Sequence, residues 1–184
     1  MLFRSGVPWL QLVDFDYCEV VNLAPQGFLE EDVGRPKVEA TADLCRRINS
    51  GVEVNPVIGR FRRSMAIGNV LFACVDSIDT RRLIWEAVRD RASLFVDGRM
   101  SAETLRVLAV ADDRSATHYL ATLFPPEEAH AGACTAKSTI YCANIAAGWM
   151  VSALTRWLRH LPVEPDITLN LLAGEVCVGQ PVSA

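Results

Sequence analysis

Residues 10–37, LQLVDFDYCEVVNLAPQGFLEEDVGRPK, constrain this chain more than any other stretch. They run from an apolar strand, through paired acids, to the start of a helix. Leu10, Leu12 and Val13 read as a buried strand that ends on Asp14 and Asp16. A polar loop carrying Asn22 and Gln26 follows, and DVGRPK then launches a helix with Lys37 in its first turn. An acid at the tip of a strand is where a nucleotide-binding α/β fold holds a ribose hydroxyl. A lysine beside the free N–H groups of a helix start is well placed for a phosphate. Ribose at one end and phosphate at the other imply a nucleotide lying across the loop. The plainer alternative is an ordinary strand–loop–helix with surface acids and a solvated lysine.

The remaining chain alternates between strand and helix patterns. Val38, Ala42, Cys45 and Ile48 fall at i, i+4, i+7 and i+10, with Thr41 on the same face, which is an amphipathic helix. Pro36 suits its first turn and Asn49-Ser50-Gly51 ends it. Residues 53–58 read as a strand at or near a sheet edge, because Pro56 cannot donate to a ladder. Residues 69–73 read as a strand buried on both faces, 80–91 as a helix and 93–98 as another strand. Such alternation implies parallel strands joined by right-handed crossovers. From Ser101 the expectation turns antiparallel: strands over 105–110 and 117–123 joined by a turn at 111–115, and short closing strands over 167–171 and 174–178. Between them, PPEEAHAGA is a loop, and a helix runs from about Ser138 to His160. Its Ala143, Ala146, Ala147 and Gly148 permit close packing on the sheet. Trp149, Leu154, Trp157 and Leu158 form an aromatic–aliphatic face for the core or for a partner. The fold class expected is α/β: a Rossmann-like, mostly parallel sheet flanked by helices, with antiparallel strands in the C-terminal half.

Composition narrows the function classes. At 184 residues and 51% hydrophobic, the chain is long enough for a single domain with its own core, and too apolar for disorder. A net charge of -4 argues against sequence-blind binding of nucleic acid. No apolar run reaches membrane-spanning length, and Arg4 and Pro8 interrupt any signal peptide, so a cytoplasmic location is expected. The six cysteines (Cys18, Cys45, Cys74, Cys134, Cys142, Cys177) form no C-x-x-C pair, which disfavours a zinc site. Most read as small core residues, and disulfides are not expected in a reducing cytosol. His118, His130 and His160 show neither metal-ligand spacing nor a nucleophile to serve, and no chemistry is assigned to them.

Several fixed spacings agree at once. Asp16, Asn22-Leu23, Gln26 and Asp32-x-Gly34-x-x-Lys37 are followed by Asp76 and Arg81 in LFACVDSIDTRR. Together they resemble the ThiF/MoeB/HesA family of adenylyltransferases, relatives of ubiquitin-activating enzymes. Its pattern runs D-x-D, N-L-x-R-Q, D-x-G-x-x-K and C-x-D-N-x-x-x-R. The likeness spans residues 7–178. It implies ATP and Mg²⁺ as cofactors. The carboxylate of a ubiquitin-like or sulfur-carrier protein would attack the α-phosphate to give an acyl-adenylate. In the implied roles Asp16 takes the ribose, Asn22, Gln26 and Lys37 the phosphates, and Asp76 the Mg²⁺. The half from Ser101 onward would receive the carrier's tail, and Cys134 would be a downstream thioester or persulfide acceptor. A homodimer or heterodimer is implied as well. All five nucleotide-site residues are expected to converge along the carboxyl rim of one sheet. Residue by residue, plainer readings stay open: Asp76 as a turn or N-cap acid, and Cys134 as a structural thiol near a helix start.

Departures from the pattern are informative. Only MLFRSGVPW precedes the D-x-D strand, where the family places a first strand and a glycine-rich turn. Either the chain is a fragment, through a mis-assigned start at Met1, or the strands ending at Asp16 and near Cys74 pair directly; the fragment is the favoured expectation. Pro25 replaces the motif arginine, with Arg35 or Arg81 as stand-ins, and Ser77 replaces the asparagine after Asp76. The family's paired zinc cysteines are missing. Two rival readings follow. One is a non-catalytic partner half whose companion subunit binds ATP. The other is a nicotinamide- or flavin-dependent oxidoreductase, which the D-x-G-x-x-K register disfavours.

Overall fold

The computed structural model describes residues 7–124 and 139–179. The chain divides into two compact units, Met1–Met65 and Ala66–Ala184. In the first, β1 (Trp9–Asp14) pairs parallel with β2 (Glu53–Ile58), Leu10 opposite Val54 and Leu12 opposite Pro56. Helix α2 (Lys37–Ile48) makes the crossover between them, and its Ala42 and Cys45 pack with Val52, Val54, Leu10 and Leu12. The helical spacing read from the sequence is the one observed, with Pro36 at the N-cap and Asn49 at the C-cap. Ile48, at the last helical position, is exposed. Trp9 of β1 is exposed and its other residues are half-buried rather than buried, because among the described residues β1 hydrogen-bonds to β2 alone. Pro56 does lie in an edge strand.

The stretch expected as a polar loop contains a short helix, α1 (Val20–Gln26), with Asn22 and Gln26 on it. Pro25 lies inside α1 and gives up one internal donor, which two turns of helix tolerate. Gly27 ends it in the left-handed region at φ 73°, its N–H bonded to the Leu23 carbonyl at 3.0 Å. Val20 and Val21 are exposed, so no apolar face announces this helix.

The second unit holds a five-stranded sheet in the order β3-β4-β5-β6-β7. Strand β3 (Val70–Ala73) runs parallel to β4 (Leu94–Ser101), with α3 (Ile78–Val88) as the crossover. Helix α3 starts earlier than the sequence suggests, because the Ser77 hydroxyl caps the Thr80 N–H at 3.4 Å. Strand β4 then turns through Ala102, at φ 52°, into antiparallel β5 (Thr104–Val110). Strands β6 (Asp166–Asn170) and β7 (Glu175–Val178) complete the antiparallel half. Being an edge strand, β3 keeps most of its residues half-buried, not covered on both faces. Strands β1 and β3 belong to different sheets.

Residues 117–123 are not a strand: Asp113–Ala121 form helix α4. The Asp112 carboxylate accepts the Ser115 N–H at 2.7 Å, and Tyr119 drops into the core between Trp85 and Phe95. Capping and the burial of one aromatic outweigh the β propensity of Thr117, Tyr119 and Thr122. Helix α5 (Ile140–Leu158) packs on β4 and β5, and Gly98 admits the Met150 thioether where any Cβ would stand 2.6 Å from its sulfur. Of the aromatic–aliphatic face, Leu154 is buried, Trp149 and Trp157 are half-buried, and Leu158 is exposed. No described helix is long and apolar enough to cross a membrane.

Hydrogen bonds from the Ser115 backbone and side chain hold the Asp112 carboxyl below its ordinary range. A depressed carboxyl stabilises the fold above its unfolded pKa and loses that effect as pH falls through the folded value. Asp112→Ala should therefore cost about 1 kcal/mol at neutral pH. The difference from wild type should shrink below about pH 4, as read from urea unfolding at several pH values.

Candidate functional site

The D-x-D strand and the D-x-G-x-x-K turn meet through the backbone. The Lys37 N–H donates to the Asp16 carbonyl at 2.9 Å, Cys18 to Arg35 at 2.8 Å, and Gly34 to Cys18 at 2.8 Å. Tyr17 and Pro36 form the antiparallel bridge between these rungs. Gly34 sits at φ 85°, a conformation that favours glycine and turns the chain into the ladder. Asp32 builds the turn from inside. It is buried, accepting the Leu29 N–H at 3.0 Å and the Arg35 guanidinium at 3.1 Å. The motif acid is therefore structural, and its work is to deliver Lys37.

Lys37 reaches the Asp16 carboxylate at 3.1 Å. Only 14% of the lysine side chain is exposed against 48% for the aspartate, so the ammonium is channelled toward Asp16 while the acid still faces solvent. They line a shallow polar hollow of about 150 Å³ with Tyr17, Glu19 and Asn22. Asn22 uses its side-chain oxygen to accept the Glu19 N–H at 2.9 Å. Gln26, exposed at the end of α1, does not line this hollow. Asp14 caps the turn itself, accepting the Asp16 N–H at 3.0 Å.

Asp76 belongs to the second unit and is exposed in the turn between β3 and α3. It does not cap α3; Ser77 does. Neither arginine considered as a stand-in for Pro25 is uncommitted. Arg35 bridges Asp32 and Asp43. Arg81 is buried and donates to Asp97, to the Val75 carbonyl and to the Gly98 carbonyl at 3.1 Å. Burial, and then the neighbouring Arg99, bring its pKa down to about 10. Asp97 also accepts Arg99 at 2.9 Å and the Tyr119 hydroxyl at 3.0 Å. A third buried acid, Asp166, takes both Arg106 contacts (2.9 and 2.6 Å) and His118 at 2.8 Å. Burial works against the charge on Asp166, but these partners outweigh it and hold the carboxyl below its usual range. Of these residues the sequence singles out Arg81 as the motif arginine and gives His118 no chemistry; for Asp97 the available signal was an aspartate inside the apolar run LFVDG.

Cys134 lies outside the described residues, as does His130. Cys18, Cys45 and Cys142 are buried and their thiols pushed up by that burial, whereas Cys74 and Cys177 are exposed. Among the described residues no group of His, Cys, Asp and Glu could by itself hold a metal ion. A lone carboxylate such as Asp76 suits Mg²⁺ when nucleotide phosphates and water complete the shell.

Shape and chemistry should separate under mutation. Asp32→Ala strands the Leu29 N–H and should cost about 1–3 kcal/mol. Lys37→Ala removes a half-exposed ion pair and should cost less than about 1 kcal/mol. Urea unfolding of the two variants checks the order.

Comparison with known proteins gives the family and the fold. The model of the ThiF family matches residues 1–174. The adenylyltransferase and sulfurtransferase MOCS3 of Sus scrofa is 37% identical over 92 residues, which is 47% of this chain and 20% of that protein. The SAMP-activating enzyme E1 of Haloferax volcanii is 34% identical over 103 residues, 53% of this chain and 38% of that one. The chain thus spans well under half the length of these relatives. Among solved structures, PaaA superposes with a TM-score of 0.78 at 16% identity, over 100% of this chain and 59% of the other. E. coli MccB gives 0.77 at 15%, over 100% and 58%. With the strand–acid–turn–lysine register and the α/β fold in place, the chain belongs to the ThiF family.

Proposed function

We propose that this chain serves ATP-dependent adenylylation of the C-terminal carboxylate of a ubiquitin-like or sulfur-carrier protein. The observation that carries the reading is the meeting of Asp16 and Lys37, far apart in sequence, at 3.1 Å on the rim of a polar hollow that Asn22 also lines. The relatives named above include an adenylyltransferase and an E1 activating enzyme, and MccB has been solved with an ATP analogue and the peptide MccA.

In this reading the Asp16–Lys37 pair holds the site's place before nucleotide arrives. The ribose hydroxyls donate to Asp16, and Lys37 exchanges its carboxylate partner for a phosphate oxygen. Each group keeps a partner throughout, so neither is left bare. Asn22 adds N–H donors beside the lysine, and Gln26 is assigned to the phosphates. A carboxylate oxygen of the carrier attacks the α-phosphorus, the bond to the bridging oxygen breaks, and pyrophosphate leaves. Asp76 would hold Mg²⁺, which offsets charge on the phosphates. The protein's part is positioning and charge stabilisation, with no protein base required. Cys134 is assigned as a downstream acceptor of the activated carboxyl, and the half beyond Ser101 as the tail's seat. Assembly as a homodimer or heterodimer and a cytoplasmic location complete the proposal.

The partner-half reading has one observation in its favour: Pro25 removes the motif cation, and Arg35 and Arg81 are already paired with carboxylates. Exchange of labelled pyrophosphate into ATP, with a ubiquitin-like carrier present, separates the two. It should be run on this chain and on a version extended upstream in its reading frame. Exchange in either supports the enzyme, and absence from both overturns it in favour of the partner half. In an exchanging version, Lys37→Ala should lower kcat/KM by about ten- to a hundredfold.

A further inference from the structure

Arg81 and Asp97 lie outside the hollow, yet they are tied directly to the turn that carries Asp76. Asp97 stands opposite Ala73, the last residue of β3, and none of its surface is exposed. One of its oxygens receives Arg81, while the other receives Arg99 at 2.9 Å and Tyr119 at 3.0 Å. The second Arg81 nitrogen is shared between the Val75 carbonyl, one residue before Asp76, and the Gly98 carbonyl at 3.1 Å. The guanidinium is thus a rigid fork, fixed at its back by β4 and gripping the backbone of the turn at its front. It also places positive charge in the field of Asp76. The adjacent Arg82 points elsewhere and binds the Leu123 carbonyl at 2.7 Å and the Phe124 carbonyl at 3.3 Å, beyond the end of α4.

We propose that Arg81, held from behind by Asp97, is the positioning residue for the Asp76 turn and thereby sets the affinity for the divalent cation at Asp76. This rests on the adenylyl-transfer reading for the identity of the cation, but not for the clamp itself. An ordered carboxylate binds metal without first losing the freedom of its backbone. A loose one must be ordered in the act of binding.

Arg81→Lys keeps the charge and removes the fork. It should raise the Mg²⁺ concentration giving half-maximal pyrophosphate exchange by about tenfold, the lower end of what outer-shell substitutions cost in metal affinity. Turnover at saturating Mg²⁺ should stay within about threefold of wild type, because the chemical step sees the same groups once metal is bound. Amide hydrogen exchange should quicken at Val75 and Asp76 and stay as it was at Leu123 and Phe124. Asp97→Asn should follow the same pattern, and Arg81→Lys decides the matter if Asp97→Asn does not fold. Arg82→Ala, the control for a merely structural loss, should quicken exchange at Leu123 and Phe124 and leave the Mg²⁺ dependence unchanged. A folded Arg81→Lys protein with wild-type protection at Val75 and Asp76, or with an unchanged Mg²⁺ half-saturation, overturns the proposal. If neither this chain nor its upstream-extended version supports pyrophosphate exchange, the adenylyl-transfer reading falls, and the amide protection alone decides the clamp.

Discussion

A carboxylate with no contact with water holds the larger unit together. Asp97 lies in the middle of a sheet, where an isolated charge is not tolerated, and it persists because two guanidiniums and a phenol converge on it. Breaking such a buried group by removing one partner costs about 3–5 kcal/mol, far more than a surface pair. Through Arg81 it reaches the turn after β3; through Arg99 it reaches Thr122 at the end of α4, at 2.9 and 3.0 Å. Tyr119 completes the set and joins the Trp85–Phe95 ring cluster, so the apolar core and the ionic centre are one packed object.

The smaller unit solves a similar problem with less burial. Asp32 ties a 3₁₀ turn (Glu30–Asp32) to Arg35, and that pairing sets up the Gly34 bend and the ladder back to Asp16. In both units the family pattern mixes two kinds of residue. Asp32 and Arg81 are turned inward and spend their hydrogen bonds on the backbone and on one charged side chain each. Asp16, Lys37 and Asp76 keep polar atoms where a ligand could meet them. A sequence pattern weights the two kinds alike, and only burial and partners separate them.

What was legible in the sequence follows from this. Helix α2 could be read because its apolar positions repeat at helical spacing, and β2 because Pro56 confines it to an edge. The Asp16-to-Lys37 register was legible as a spacing, although the ladder that enforces it was not. Helix α1 was hidden by its shortness, by the proline inside it and by the exposure of Val20 and Val21. Helix α4 was hidden because Thr117, Tyr119 and Thr122 resemble a strand until Asp112 caps them and Tyr119 finds a core. The centres at Asp97 and Asp166 left only a faint trace, an aspartate inside the apolar run LFVDG. Most of their partners come from other elements, and only folding brings Arg106 and His118 beside an acid 60 and 48 positions away.

The ladder between Asp16–Cys18 and Gly34–Lys37 acts like a zip whose two rails are joined by a slack cord. Its rungs fix which residues face one another at the closed end, but they place no demand on the length of cord between Cys18 and Gly34. Lengthening or shortening the α1 segment would therefore leave the acid–lysine encounter intact. A single-residue change within either rail would turn Lys37 away from Asp16.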